Sequence, residues 1–174
     1  MPQNPRSKQI LFFLIGMLWG AVLILIAGVL YLRYNLITEQ ALPGTFEEIT
    51  EKIPSAVESA EGWNVTKEQC QLPQSADGQP VAVYKFCNPD YAKELLTDEE
   101  SRKIAAALPC GIAFYRKKDG RVYMSKWNMP LIGRLLGGMP AWLFPGRIAE
   151  DQRVIMMRIS AKKVEKSKRS ANLP

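Results

Sequence analysis

The stretch that decides the fold runs from Val81 to Trp127, VAVYKFCNPDYAKELLTDEESRKIAAALPCGIAFYRKKDGRVYMSKW. Val81 to Phe86 is a short apolar run of the kind that forms a strand. Asp90 to Ala107, rich in Ala, Leu, Glu and Lys, reads as a helix, with a second capping box at Thr97 and Glu100. Pro109 ends it, because the residue before a proline avoids the helical region. Gly111 to Arg116 is apolar and aromatic, Asp119-Gly120 is a hairpin turn, and Arg121 to Trp127 alternates as a partner strand should. With a further strand over Trp63 to Leu72 ahead of this stretch, two strands, a helix and two more strands imply an antiparallel sheet.

Working outward, Thr45 and Glu48 form a capping box for a helix whose apolar residues Phe46, Ile49, Ile53, Val57 and Ala60 recur at helical spacing up to Gly62. Pro54 should kink or split that helix, since it lacks the amide donor and crowds the preceding turn. Trp63 to Leu72 reads as a strand with Trp63 and Val65 on one face, followed by a polar loop containing Asp77-Gly78. Arg147 to Lys163 reads as a last helix, carrying Ile148, Val154, Ile155, Met157 and Ile159. Between, Met129 to Gly146 is too apolar for a free loop. It suits a short helix and turn closing the core, or else a surface for the bilayer or a partner. Sheet and helices together make an α+β domain, antiparallel strands with helices packed on one face.

Ile10 to Leu32 is a run of 23 residues without a charge, enough to cross a hydrocarbon core about 30 Å thick as a helix. A cleaved signal peptide has a shorter apolar part, and no clear small-residue cleavage site follows Leu32. Residues 1–9 are then a short tail, 10–32 a transmembrane helix, 33–44 a linker or short first strand, 45–164 the α+β domain and 165–174 a basic flexible tail. Arg6 and Lys8 before the span outweigh Arg33 after it, which favours the inner membrane of a bacterium with the domain in the periplasm. Gly16 and Gly20 form a GxxxG, the spacing of some helix-dimer faces.

The net charge of +6 belongs to the ends of the chain. Between Glu39 and Ile159 there are 15 basic and 16 acidic residues, so the domain has no basic patch that would suit nucleic acid. The chain contains no histidine, which removes Ser-His and Cys-His nucleophile pairs and imidazole ligands. Three cysteines without a Cys-x-x-Cys spacing argue against a zinc ribbon or a thioredoxin motif, and no metal site is expected.

Chemistry is therefore sought at Cys87-Asn88-Pro89 and Leu108-Pro109-Cys110. If the two strands are antiparallel neighbours, Cys87 and Cys110 lie at the same end, where a disulfide needs alpha carbons about 4.4–6.8 Å apart. Buried structural thiols are the plainer alternative. Asn88 and Pro89 suit a helix cap and first turn, while a helix amino end beside Cys87 would lower its pKa and attract an anion. A soft-metal set of Cys87, Cys110 and Met124 or Met129 is a further, weaker reading. Cys70, in a polar strand, looks incidental.

Phe86-Cys87-Asn88-Pro89, a helical stretch, Leu108-Pro109-Cys110, an apolar strand and a Lys-Asp-Gly turn together resemble the domain-of-unknown-function family 302, over about Thr45 to Asn128. The resemblance implies an α+β domain of TATA-box-binding-protein-like topology, often a dimer, and brings no established activity or cofactor. The membrane anchor, Pro54, the Gly/Pro-rich segment and the basic tail depart from the plain family pattern.

These residues leave three functions open. One is a binding or accessory domain holding a small anion, metal or protein partner near Asn88, Pro89 and Pro109. The second is a thiol redox protein using Cys87 as nucleophile and Cys110 as resolving thiol. The third is a structural subunit of a membrane complex. The expected partners are the lipid bilayer through Ile10 to Leu32, a second copy of the chain or another membrane protein, and not nucleic acid.

Overall fold

The computed structural model describes residues 5–67 and 78–161. Cys70, the expected strand beyond Lys67 and the basic tail lie outside the described residues. The chain divides into two units, Met1–Ile37 and Thr38–Pro174.

The first unit is helix α1, Pro5–Asn35. Within it Lys8–Asn35 is long and apolar enough to cross a membrane, by length and composition, and none of that stretch is buried.

The second unit is built on a five-stranded sheet in the order β1-β5-β4-β3-β2. The strands are β1 (Ile37–Leu42), β2 (Asn64–Lys67), β3 (Val81–Cys87), β4 (Cys110–Arg116) and β5 (Val122–Trp127). The pairs β2·β3, β3·β4 and β4·β5 are antiparallel. The segment that could have been a linker is thus an edge strand, which the Thr38 hydroxyl helps to fix by donating to the Lys126 carbonyl at 3.2 Å.

Alternation along the strands sorts side chains onto two faces. Ala82, Tyr84 and Phe86 of β3, Cys110, Ile112 and Phe114 of β4, and Val122 and Met124 of β5 are buried. Their sequence neighbours on the other face are at most half-buried. The β4–β5 hairpin closes on Asp119-Gly120, where the Gly120 amide donates to Lys117 and the Lys117 amide to Arg121, both at 3.0 Å. Gly120 sits at φ +78° and among the described residues no non-glycine residue has positive φ, so the connection is a turn followed by a glycine bulge.

Over the buried face lie α2 (Phe46–Glu58), α3 (Pro89–Thr97), α4 (Met129–Leu136), α5 (Gly138–Leu143) and α6 (Ala149–Ser160). The capping box of α2 forms as expected, Thr45 Oγ1 accepting from the Glu48 amide and Glu48 accepting from the Thr45 amide. Pro54 does not split α2. The side chain faces solvent, where water can satisfy the carbonyl left over, and the opposite side buries Ile49, Ile53, Ala56 and Val57. Burying those four side chains, at about 1.5–3 kcal/mol for each of the larger ones, offsets the roughly 3 kcal/mol cost of an interior proline.

The single helix expected over Asp90 to Ala107 is two elements, α3 and a 3₁₀ segment Arg102–Ala107. Thr97 does not act as a cap; its hydroxyl donates back to the Lys93 carbonyl. Asp98, Glu99 and Glu100 follow at the carboxyl end of α3, where negative charge opposes the helix dipole. Leu95 and Ile104 are both buried, yet nine residues apart they would face opposite ways on one continuous helix. The break brings both to the core.

The Met129–Gly146 segment folds as α4 and α5, joined through Gly137 at φ +69° and followed by a π-helical turn, Phe144–Ile148. Met129, Leu143 and Phe144 are buried, while Leu135, Leu136 and Trp142 are exposed. In α6 the buried residues are Gln152, Ile155, Met156 and Ile159, whereas Met157 points outward.

Candidate functional site

The structure brings Cys87 and Cys110 to the same end of neighbouring strands and then turns them apart. Phe86, not Cys87, lies opposite Cys110 in the register. A one-residue offset reverses the face of a side chain, so Cys110 enters the core with Phe86 while Cys87 projects from the other side of the sheet. Both thiols are free. Burial pushes the Cys87 thiol up rather than down. Cys87 closes β3 ahead of the helix, and the first free amides of α3 are already taken by the Asn88 side chain. Cys110 is pushed up to about 11, chiefly by burial and further by Cys87, against an opposing effect of Lys126. The expectation of an activated thiol at Cys87 is corrected accordingly.

Cys110 and Met129 line an apolar cavity of about 130 Å³ with Ile104, Leu108, Trp127 and Phe144. Cys87, on the opposite face, cannot share an ion with them. Among the described residues there is no group of three or more His, Cys, Asp or Glu side chains able to hold a metal.

Asn88 performs two tasks. Its Oδ1 accepts from the Asp90 amide at 3.0 Å and the Tyr91 amide at 3.3 Å, capping α3 above Pro89 in the first turn. Its Nδ2 donates to the Glu61 carbonyl at 3.4 Å, tying the start of α3 to the turn after α2. That turn passes through Gly62 at φ +73°, where a Cβ would lie 3.0 Å from Asn88 Nδ2. Pro89 and Pro109 are exposed, and neither is among the residues that line the cavity bordered by Asn88.

Asn88 instead borders a polar cavity of about 550 Å³. The turn after α2 contributes Ser59, Glu61 and Gly62, the start of α3 contributes Asp90 and Tyr91, and Trp63 begins the chain into β2. The remaining wall is a stripe that runs from the π-helical turn into α6, Arg147, Asp151, Val154 and Arg158, spaced four, three and four residues apart as one helical face requires.

Asp151 is the hub of this wall. One carboxylate oxygen, Oδ2, accepts from Trp63 Nε1 at 3.0 Å and from the Tyr91 hydroxyl at 2.8 Å. The two rings meet edge to face at 6.1 Å. Arg147 lies over the Tyr91 ring, 4.6 Å from its centroid, and pairs with Glu94 at 2.8 Å. Burial raises the Tyr91 pKa, the Asp151 carboxylate raises it further, and Arg147 opposes both. Arg158 donates to the Ser59 hydroxyl at 2.7 Å and has no carboxylate within ion-pair distance among the described residues. The arrangement sets guanidinium charge beside aromatic side chains fixed by Asp151.

Sequence reasoning placed Asn88 near the site and missed Trp63, Tyr91, Arg147, Asp151 and Arg158. A signal existed for the last three: from the turn before α6 into α6 they recur at helical spacing, on a stripe that flanks the buried face.

The sheet order and the helical layer define an α+β domain in a chain that also carries an apolar amino-terminal helix. The model for the domain of unknown function DUF302 matches residues 38–138, more than half of the chain, and the chain belongs to that family. A crystal structure of an uncharacterized conserved DUF302 protein from Bacillus stearothermophilus superposes with a TM-score of 0.59 at 15% identity. It covers 71% of this chain and 98% of its own, and shares the fold. No curated protein sequence matches the chain.

Proposed function

We propose that the protein is a membrane-anchored binding domain, held by Lys8–Asn35 in the inner membrane and facing the periplasm, that holds a small anion in the cavity beside Asn88. The observation that carries this reading is Arg158, a guanidinium on the cavity wall whose partner is a neutral hydroxyl, on the same helical stripe as Arg147. A charged donor with a hydroxyl partner can exchange it for an anion at low cost, and charge-assisted hydrogen bonds are the stronger kind. The side-chain order around Asp151 presets the cavity, which lowers the entropic cost of binding. Basic residues ahead of the apolar helix support the orientation.

The test is calorimetric titration of the full chain in detergent with inorganic phosphate, sulfate and acetate. Saturable binding of at least one is expected, weakened about tenfold or more in Arg158→Gln with the circular dichroism spectrum retained. No binding of any of the three would refute the reading. Access of an added carboxyl-terminal epitope to antibody in spheroplasts tests the orientation, and access only after lysis would reverse it. The thiol redox reading gains no support from this geometry, because the two thiols project from opposite faces and both resist ionisation.

A further inference from the structure

The charge around the cavity is mixed, and the mixture narrows the ligand. Arg147 and Arg158 supply two positive groups, of which Arg147 is already paired with Glu94. Glu61, Asp90 and Asp151 supply three carboxylates. Asp151 is engaged by Trp63 and Tyr91. The carboxylates of Glu61 and Asp90 have no hydrogen-bond or ion-pair partner among the described residues, and the Asn88 bridge holds their two chain segments together. A ligand that was only an anion would meet Arg158 and, in the same cavity, two unpaired carboxylates. Like charge across a binding site costs affinity, and a cation on the ligand converts that cost into a gain.

We infer that the cavity takes a small zwitterion, with its phosphate or carboxylate on Arg158 and its ammonium group between Glu61 and Asp90. This rests on the anion reading above and adds the second charge. The same chemistry is offered by a soluble aminoalkyl phosphate or amino acid and by a phosphatidylethanolamine headgroup.

The experiment titrates the full chain in detergent with three matched probes, inorganic phosphate, ethanolamine and phosphoethanolamine. Phosphoethanolamine is expected to bind at least tenfold more tightly than phosphate. The double variant Glu61→Gln/Asp90→Asn should remove that advantage while leaving phosphate binding equal or stronger, which a merely misfolded variant would not do. Equal affinity for phosphate and phosphoethanolamine in the wild type would overturn the zwitterion inference and leave the anion reading standing. Absence of binding by either would overturn both.

Repeating the phosphoethanolamine titration in nanodiscs of phosphatidylglycerol, with and without phosphatidylethanolamine, separates the sources. A loss of apparent affinity caused by phosphatidylethanolamine assigns the headgroup, and an unchanged value assigns a soluble zwitterion. Both outcomes uphold the ligand class.

Discussion

Replacing Gly133 by alanine sets helix propensity against tertiary packing, and the two predict opposite signs. Gly133 lies inside α4, where alanine would stabilise an isolated helix by about 1 kcal/mol. In the folded chain α5 doubles back through the Gly137 turn and places its backbone against Gly133. A Cβ there would stand 2.5 Å from the Pro140 carbonyl oxygen and 2.9 Å from Phe144 Cβ. The first contact is about 0.9 Å short of the 3.4 Å at which ordinary contact begins, and the obstacle is backbone rather than a rotatable side chain. Phe144 is buried and cannot swing away without opening the core.

Overpacking of this kind costs about 3 kcal/mol, so the net loss after the propensity gain is about 2 kcal/mol. For a domain of this size that lowers Tm by about 8 °C. Thermal unfolding followed by tryptophan fluorescence reads the change, with Gly146→Ala as the control. Gly146 has nothing within 4 Å of a built Cβ and no positive φ, so alanine there should leave Tm unchanged or slightly raised. If Gly133→Ala were as stable as the wild type, the close approach of α4 and α5 would be wrong.

Three other perturbations follow from the same structure. Cys110 holds its proton more tightly when folded, with a pKa of about 11 against an ordinary 9.0, so its contribution is fully present below about pH 9. It fades as pH rises towards 11, removing about 2–3 kcal/mol, and denaturant titrations of wild type and Cys110→Ala should diverge in pH dependence over that window. Asp151→Ala strands the Trp63 indole donor, on a ring only 5% exposed, and should cost about 2 kcal/mol with a change in near-ultraviolet circular dichroism. Asp151→Asn keeps an acceptor, so it should cost less, and spectrophotometric titration should show the Tyr91 pKa falling with the lost charge. Thr45→Ala removes a formed capping box and should cost about 1 kcal/mol in urea unfolding, and no change would mean that the cap contributes nothing.

The three strands β3, β4 and β5 were legible because their cause is local. The apolar run Val81 to Phe86, the alternation in Arg121 to Trp127, the Asp119-Gly120 turn and the Thr45–Glu48 box each need only near neighbours. The α3 break was hidden because it answers to where Leu95 and Ile104 must both be buried, a condition set by the sheet beneath them. Pro54 was misjudged for a related reason, since the burial that holds α2 together is tertiary.

The candidate site divides along the same line. By itself the sequence determined the α+β class, the apolar amino-terminal helix, the absence of imidazole chemistry and the capping role of Asn88, all of which follow from composition or from residues close in the chain. The tertiary structure alone decided that Cys87 and Cys110 face opposite ways, because strand register is fixed by packing and a shift of one residue changes the face. It also decided that Trp63, Tyr91 and Asp151 meet, since their shared hydrogen bonds join residues 60 and 88 positions apart, brought together only when α6 closes over the ends of α2 and α3.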